Sequence, residues 1–244
     1  MEYRHVSVLY EECMTLLNVR ANGVYLDGTL GGGGHASGVL ERLGPDGRLF
    51  GIDRDAEAIE AATARLDDPR FQAVRGNFHD AKALLAALGV EQIDGALLDL
   101  GVSSRQLDAR ARGFSYQGDA PLDMRMDQRQ SLTAREIVAT WSEDEIARAL
   151  RDYAEEKWAR QIARVIVDRR AASPIETTAQ LVDIIDAAIP KKVRARDDSH
   201  PARRTFQALR IAVNDELNPL SGAIRDIVQM LAPGGRLLVI TFHS

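Results

Sequence analysis

The sequence has one cysteine, Cys13, in 244 residues. That excludes a disulfide framework and a cysteine-built metal cluster. The five histidines, at 5, 35, 79, 200 and 243, show no i,i+4 pair, so a helical metal site is not expected either. No apolar run approaches the ~18 residues that a membrane helix needs. The first residues, MEYRHVSVLYEE, carry charges throughout and lack the apolar core of a signal peptide. The chain is therefore expected to be cytoplasmic and away from membranes. An overall basic excess is also missing: the net charge is −5, which argues against a uniform nucleic-acid-binding coat.

What is present is an ordinary globular balance, with 45% hydrophobic and 27% charged residues. The length allows one large domain or two modest ones. Charge is concentrated in one place. Residues 191–210, KKVRARDDSHPARRTFQALR, hold seven Lys/Arg against two Asp. A solvated face and a phosphate-contacting patch both account for such a run.

Apolar strand-like runs alternate with helical spacing over the first hundred residues. Strands are predicted at 24–27 and 48–53, at 71–78 together with a loop, and at 93–102. Helices are predicted at 8–17, after the glycines from Ala36, at 56–66 and at 81–88. Such alternation implies parallel strands covered on both faces. The next strand, RLLVITF at 236–242, comes more than a hundred residues later. A crossover needs only a dozen or so residues plus its helix, so something is inserted.

The insert reads as helical. Ser142 to Glu145 and Thr177 to Gln180 have capping-box spacing. The expected division is a sheet domain of residues 1–107 and 200–244, and an all-helical subdomain of residues 108–199.

The stretch VYLDGTLGGGGH, residues 24–35, runs from a strand through four glycines into a helix. This unit presents backbone N–H groups to a ligand, although a flexible loop has the same composition. Asp53 ends the second strand, where an acid accepts hydrogen bonds from ribose hydroxyls. Asp27 ends the first strand, ahead of the glycines. An acid there repels a pyrophosphate and attracts a cationic or amine-bearing ligand, which favours S-adenosylmethionine over a nicotinamide dinucleotide. Asp99 ends the fourth strand, and ligands of open α/β sheets bind outside the carboxyl ends of strands. Phe78, after the third strand, either packs on an adenine or belongs to the core.

LAPGGRL, residues 231–237, resembles the segment that precedes a strand in class I S-adenosylmethionine-dependent methyltransferases. Several longer segments add to it: DGTLGGGGH (27–35), GIDRD (51–55), LLDLGVSS (97–104), PLDMRMD (121–127) and HPARRTFQALRIAVN (200–214). Together they resemble the bacterial 16S ribosomal RNA cytosine-N4 methyltransferase family across nearly the whole chain. The resemblance implies a Rossmann-like α/β sheet with a helical insert and methylation of a decoding-region cytidine of the small ribosomal subunit. It implies cofactor contacts at Gly33, Gly34, His35, Asp53, Phe78, Asp99 and Gln106, to which the strand–glycine turn itself adds Asp27 and Gly31 as cofactor-binding candidates. The family's pattern continues past FHS, so its closing strands are expected to be missing from this chain.

Amine methylation needs positioning, and an acceptor for the amine's hydrogens. Asp99 is the leading catalytic candidate and Ser103 the secondary one. Phe114, Tyr116, Phe206 and Phe242 are equal candidates for stacking on the target base, and His243 is a further candidate to face the same cleft. C5 methylation would need a cysteine nucleophile, and Cys13 lies in the first helix, away from the motif edge. Lys191, Lys192, Arg194, Arg203 and Arg204 are the expected RNA contacts. Lys157, Arg160, Arg164, Arg169 and Arg170 are expected to line a helix that supports them. Two rivals remain: an NAD(P)-dependent oxidoreductase and a non-catalytic RNA-binding assembly factor.

Overall fold

The computed structural model describes residues 7–194 and 200–242, and His243 lies outside them. The chain divides into two compact units, residues 1–101 with 218–244 and residues 102–217.

In the first unit the elements run α1 (Tyr10–Leu17), β1 (Val24–Asp27), α2 (Gly34–Leu40), β2 (Arg48–Asp53), α3 (Ala56–Leu66), β3 (Phe71–Arg75), α4 (Ala81–Ala86) and β4 (Ile93–Asp99). A loop and a short 3-10 turn, Phe78–Asp80, follow β3, and Asn77 caps that turn by accepting the His79 N–H. After the second unit the chain returns as α12 (Leu220–Met230) and β5 (Leu231–Ile240). The five strands are parallel in the order β3-β2-β1-β4-β5. The order reverses between β1 and β4, which is where open α/β sheets bind ligands.

β5 begins earlier than predicted. Leu231 already pairs with Ile93, and a register shift between Ile93 and Gly95 absorbs the Pro-Gly-Gly segment. At the opposite end of the sheet from the glycine turn, Asp94 fastens β1 to β4. Its Oδ2 accepts the Val24 N–H at 2.8 Å and its Oδ1 accepts from Arg20 Nη1 at 3.2 Å.

Strand alternation sorts the side chains onto two faces. Tyr25, Leu49 and Leu97 pack with Met14, Ala36 and Val39 on one side. Leu26, Phe50 and Leu98 pack with Leu85 and Ile227 on the other. Each face therefore buries its own apolar layer, the arrangement that near-continuous apolar strands require.

The second unit holds α5 (Ser104–Asp108), α6 (Ala134–Thr140), α7 (Glu143–Ala154), α8 (Ala159–Ala172), α9 (Thr178–Ala188), α10 (Lys191–Arg194) and α11 (Ala202–Asn214). Both predicted capping boxes form, at the starts of α7 and α9, and a third at Thr133–Glu136 opens α6. The unit is wider than the predicted 108–199. Phe206, Leu209 and Val213 of α11 are buried in one cluster with Ile146, Ile162 and Leu181, so α11 belongs to the helical core and not to the sheet.

Asn214 then ties α11 to the DMRMD segment. Its Nδ2 donates to the carbonyls of Met124 and Arg210, and its Oδ1 accepts the Met126 N–H at 2.8 Å. Met124 is fully buried at φ 63°, a left-handed conformation that is strained for a side-chain-bearing residue.

Candidate functional site

Register places three acids on one face. Asp27 pairs with Gly51 on β2 and with Leu97 on β4. Asp53 and Asp99 each lie two residues beyond those partners, so both share the face of Asp27. The three carboxylates therefore stand at the carboxyl ends of three adjacent strands, centred on the switch point.

Each carboxyl is pushed above the usual aspartate range, in every case chiefly by burial. Asp27 is 3% exposed and is raised to about 7, with Asp53 and Asp99 adding like-charge repulsion. Asp53 is raised despite two backbone N–H donors, from Gly31 and Asp55. Asp99 is raised by burial, opposed by the nearby His35. The Oδ1 atom of Asp99 is buried without any hydrogen-bond partner. A buried, unpaired acceptor among like charges is costly in isolation. A cation or an N–H donor is the chemistry that relieves it.

The four glycines divide by cause. Gly31 at φ 50° and Gly33 at φ 74° adopt left-handed backbone. A side chain on Gly34 would collide with the Ser7 hydroxyl, so its smallness serves local packing. Gly32 alone has open space where a side chain would go. The hinge is held by Asp53, whose Oδ2 accepts the Gly31 N–H at 2.8 Å. Thr29 joins β1 to β4 from the same turn, its hydroxyl accepting the Asp99 N–H at 2.6 Å.

The remaining expected residues have other engagements. The Nε2–H of His35 donates to the Val8 carbonyl at 2.9 Å, which leaves Nδ1 as the ring's acceptor. Phe78 is buried beneath Gly28, edge-on to His79, as a core residue would be. Ser103 and Gln106 belong to the helical unit, where they form a reciprocal capping box opening α5. The Ser-x-x-Gln spacing was the available signal for that.

Among the four aromatics, Phe114 and Phe206 are buried in the helical core and Tyr116 lies half-buried beside them. Phe242 is 63% exposed, and its ring lies 3.7 Å from where a side chain on Gly101 would begin. Register continued from Asp99 opposite Ile240 brings Phe242 alongside Gly101, two residues beyond the acid.

The basic residues also separate. Lys191, Lys192 and Arg203 are exposed, and Arg204 is half-buried with Nη1 at 3.5 Å from the Glu155 carbonyl. Arg194 ends α10. Lys157 precedes α8 instead of lying on it. Arg170 does not face outward: its Nη1 donates to the carbonyls of Val138 and Trp141, closing the end of α6. Arg160 pairs with Asp144 at 3.4 Å, while Arg164 and Arg169 are exposed on α8. Among the described residues no group of His, Cys, Asp and Glu is placed to hold a metal ion, and no helix is long and apolar enough to cross a membrane.

Comparison with known proteins adds the following. The model of the MraW methylase family matches residues 2–244. A "Ribosomal RNA small subunit methyltransferase H" of Ruminiclostridium cellulolyticum is 51% identical, over 100% of this chain and 79% of that protein. A protein of the same description from Symbiobacterium thermophilum is 54% identical, over 100% of this chain and 77% of its own length. Among solved structures, Aeropyrum pernix fibrillarin, described as holding natively bound S-adenosyl-L-methionine, is 18% identical. It matches 42% of this chain and 47% of its own at a TM-score of 0.33.

Proposed function

This chain belongs to the MraW methylase family, and from that premise we propose that it methylates the exocyclic N4 of a cytidine in 16S ribosomal RNA, using S-adenosylmethionine. The observation that carries the chemistry is the buried, unpartnered Oδ1 of Asp99 beside two further raised carboxylates on the same sheet face. Those acids fit a ligand with a positive charge, an amine and ribose hydroxyls. They disfavour the pyrophosphate of a nicotinamide dinucleotide. S-adenosylmethionine, when bound, supplies an electrophilic methyl group on a sulfonium.

The residues then have distinct tasks. Asp53 would take the ribose hydroxyls with the lone pairs left over from Gly31 and Asp55. Asp27 and the glycine hinge would hold the charged tail, with His35 Nδ1 as a further acceptor. Asp99 Oδ1 would accept an N4–H of the cytosine. That draws the amine lone pair out of ring conjugation and orients it toward the methyl. As the new N–C bond forms, the nitrogen must lose a proton, and the raised carboxyl of Asp99 suits it to accept one. Phe242, the exposed aromatic beyond β5, would support the target base.

The helical unit, through Lys191, Lys192, Arg194 and Arg203, would grip RNA phosphates, with the small ribosomal subunit in the cytoplasm as the working substrate. Ser103 and Gln106, being engaged with each other, would shape the start of this unit, not perform chemistry.

The test is methyl transfer to small subunits from cells lacking the modification, followed by nucleoside analysis. N4-methylcytidine is the expected product. Asp99→Ala should lower the rate about 100-fold or more, with affinity for S-adenosylhomocysteine changed less than about tenfold. Absence of transfer by the unaltered protein, or methyl-labelled nucleosides other than N4-methylcytidine, would overturn the assignment. Full activity of Asp99→Ala would overturn the role given to Asp99 and leave the proton to another acceptor.

A further inference from the structure

The aromatic pair Tyr116–His200 has no part in the reading above. The two rings are stacked, with centroids 4.5 Å apart and planes 15° from parallel. Tyr116 is in turn braced edge-on by the buried Phe206, at 5.9 Å. His200 Nδ1 accepts the Ala202 N–H at 3.2 Å, so the ring also closes the start of α11 and carries its proton on Nε2. The imidazole is thus fixed at one edge by a helix N–H and on one face by a tyrosine.

His200 is nonetheless exposed, and among the described residues Tyr116 is the only ring stacked on it. The Arg203 N–H donates to the His200 carbonyl at 3.0 Å, and the Arg203 side chain is exposed. Lys191 and Lys192, also exposed, belong to the same unit.

A fixed, exposed aromatic ring beside an exposed cation is a combination that binds single-stranded nucleic acid: bases stack on the ring while the cation takes a phosphate. As a helix cap alone, His200 would need only its Nδ1, which Asn or Ser would supply equally well. The tyrosine beneath and the buried phenylalanine behind it serve to hold a flat surface outward. We infer that the exposed ring of His200 is a stacking seat for an unpaired nucleobase of the RNA substrate, with Arg203 taking the adjoining phosphate. This rests on the RNA-methylating reading and adds to it residues outside the sheet unit's acids.

The experiment uses the full chain and two readouts. The first is binding of a single-stranded oligoribonucleotide carrying 2-aminopurine, followed by anisotropy and base fluorescence. The second is KM for methyl transfer to small subunits. His200→Asn keeps an acceptor for the Ala202 N–H and removes the ring. It should melt like the unaltered protein, bind RNA about 5- to 100-fold more weakly, raise KM, and leave the salt dependence of binding unchanged. His200→Phe should restore most of the affinity and the 2-aminopurine quenching. Arg203→Gln should weaken all sequences alike and make the salt dependence shallower by about one phosphate contact.

The seat is overturned if His200→Asn binds RNA and turns over subunits as the unaltered protein does. It is equally overturned if His200→Phe is as weak as His200→Asn, or if the unaltered protein methylates subunits without binding the oligoribonucleotide. A chain that neither binds RNA nor methylates subunits fails at the underlying reading instead.

Discussion

Asp53 reaches across 22 residues of sequence to accept the Gly31 N–H at 2.8 Å, so one carboxylate both shapes the glycine hinge and lies where a ribose is expected. Asp53→Ala removes that bond and the one from Asp55. Hydrogen bonds to charged groups are worth about 1.5–3 kcal/mol each. Affinity for S-adenosylhomocysteine should therefore fall about 10- to 100-fold by calorimetry. Stability without ligand should move little, because the burial that raises this carboxyl offsets the bonds it makes.

The tetraglycine run contains positions with opposite tolerance. Gly33 holds φ 74°, and an added side chain would begin 3.0 Å from Leu66 Cδ1. Gly33→Ala should cost about 1–2 kcal/mol or more in urea unfolding. Gly32 has no such backbone and no neighbour within 4 Å, so Gly32→Ala should be neutral to within about 1 kcal/mol. A loss of cofactor affinity in this stable variant would identify the open space at Gly32 as the ligand's.

Asp27 predicts an inverted pH response. Its carboxyl is raised from 3.8 to about 7. The folded state therefore holds a proton that the unfolded chain releases near pH 4. The stabilisation is complete below that value and is lost as pH rises through about 7. The lowered carboxyls of Asp68, Asp123 and Glu145 act only below their ordinary range, outside this window. The ligand-free protein should melt at a higher temperature at pH 5.5 than at pH 8, and Asp27→Asn should flatten that difference. A cationic ligand favours the ionised carboxyl, so binding near pH 7 should release protons, detectable by calorimetry in buffers of different ionisation enthalpy.

Asn214 locks two segments 88 residues apart by holding Met126 N–H at 2.8 Å while donating to the Met124 carbonyl. Asn214→Ala leaves both buried backbone groups unpaired, at a cost of about 2–5 kcal/mol. Asn214→Asp should be no better, since a carboxylate cannot donate to a carbonyl. Denaturant unfolding monitored at the helical unit's Trp141 and Trp158 would measure both.

The sheet was legible because β1, β2 and β4 are short apolar runs ending in acids. Asp27, Asp53 and Asp99 could be assigned to one edge from sequence, and pairing register put them on one face as well. The helical insert was legible from capping boxes and apolar spacing. What was not legible depended on partners distant in sequence. The apolar stripe of α11 fits a helix on a sheet as well as one in a bundle, and only its burial with Ile146 and Leu181 decides. Arg170 reads as a surface cation, yet it serves the carbonyls of Val138 and Trp141. Ser103 was read for its hydroxyl's chemistry when its spacing to Gln106 already spelled a cap. The four glycines suggested ligand approach or a flexible loop, where the backbone shows left-handed turns at Gly31 and Gly33 and local packing at Gly34.

The clasp at Asp94 bears on all of this from the far end of the sheet. A slide of β4 by a single residue against β1 would turn every side chain on it over and swing Asp99 to the opposite side from Asp27. By gripping the first amide of β1 and anchoring on Arg20, Asp94 forbids that slide. Alignment of the reacting groups is thus guarded by a residue that never meets a substrate, and loosening it would misplace an acid several residues along the strand.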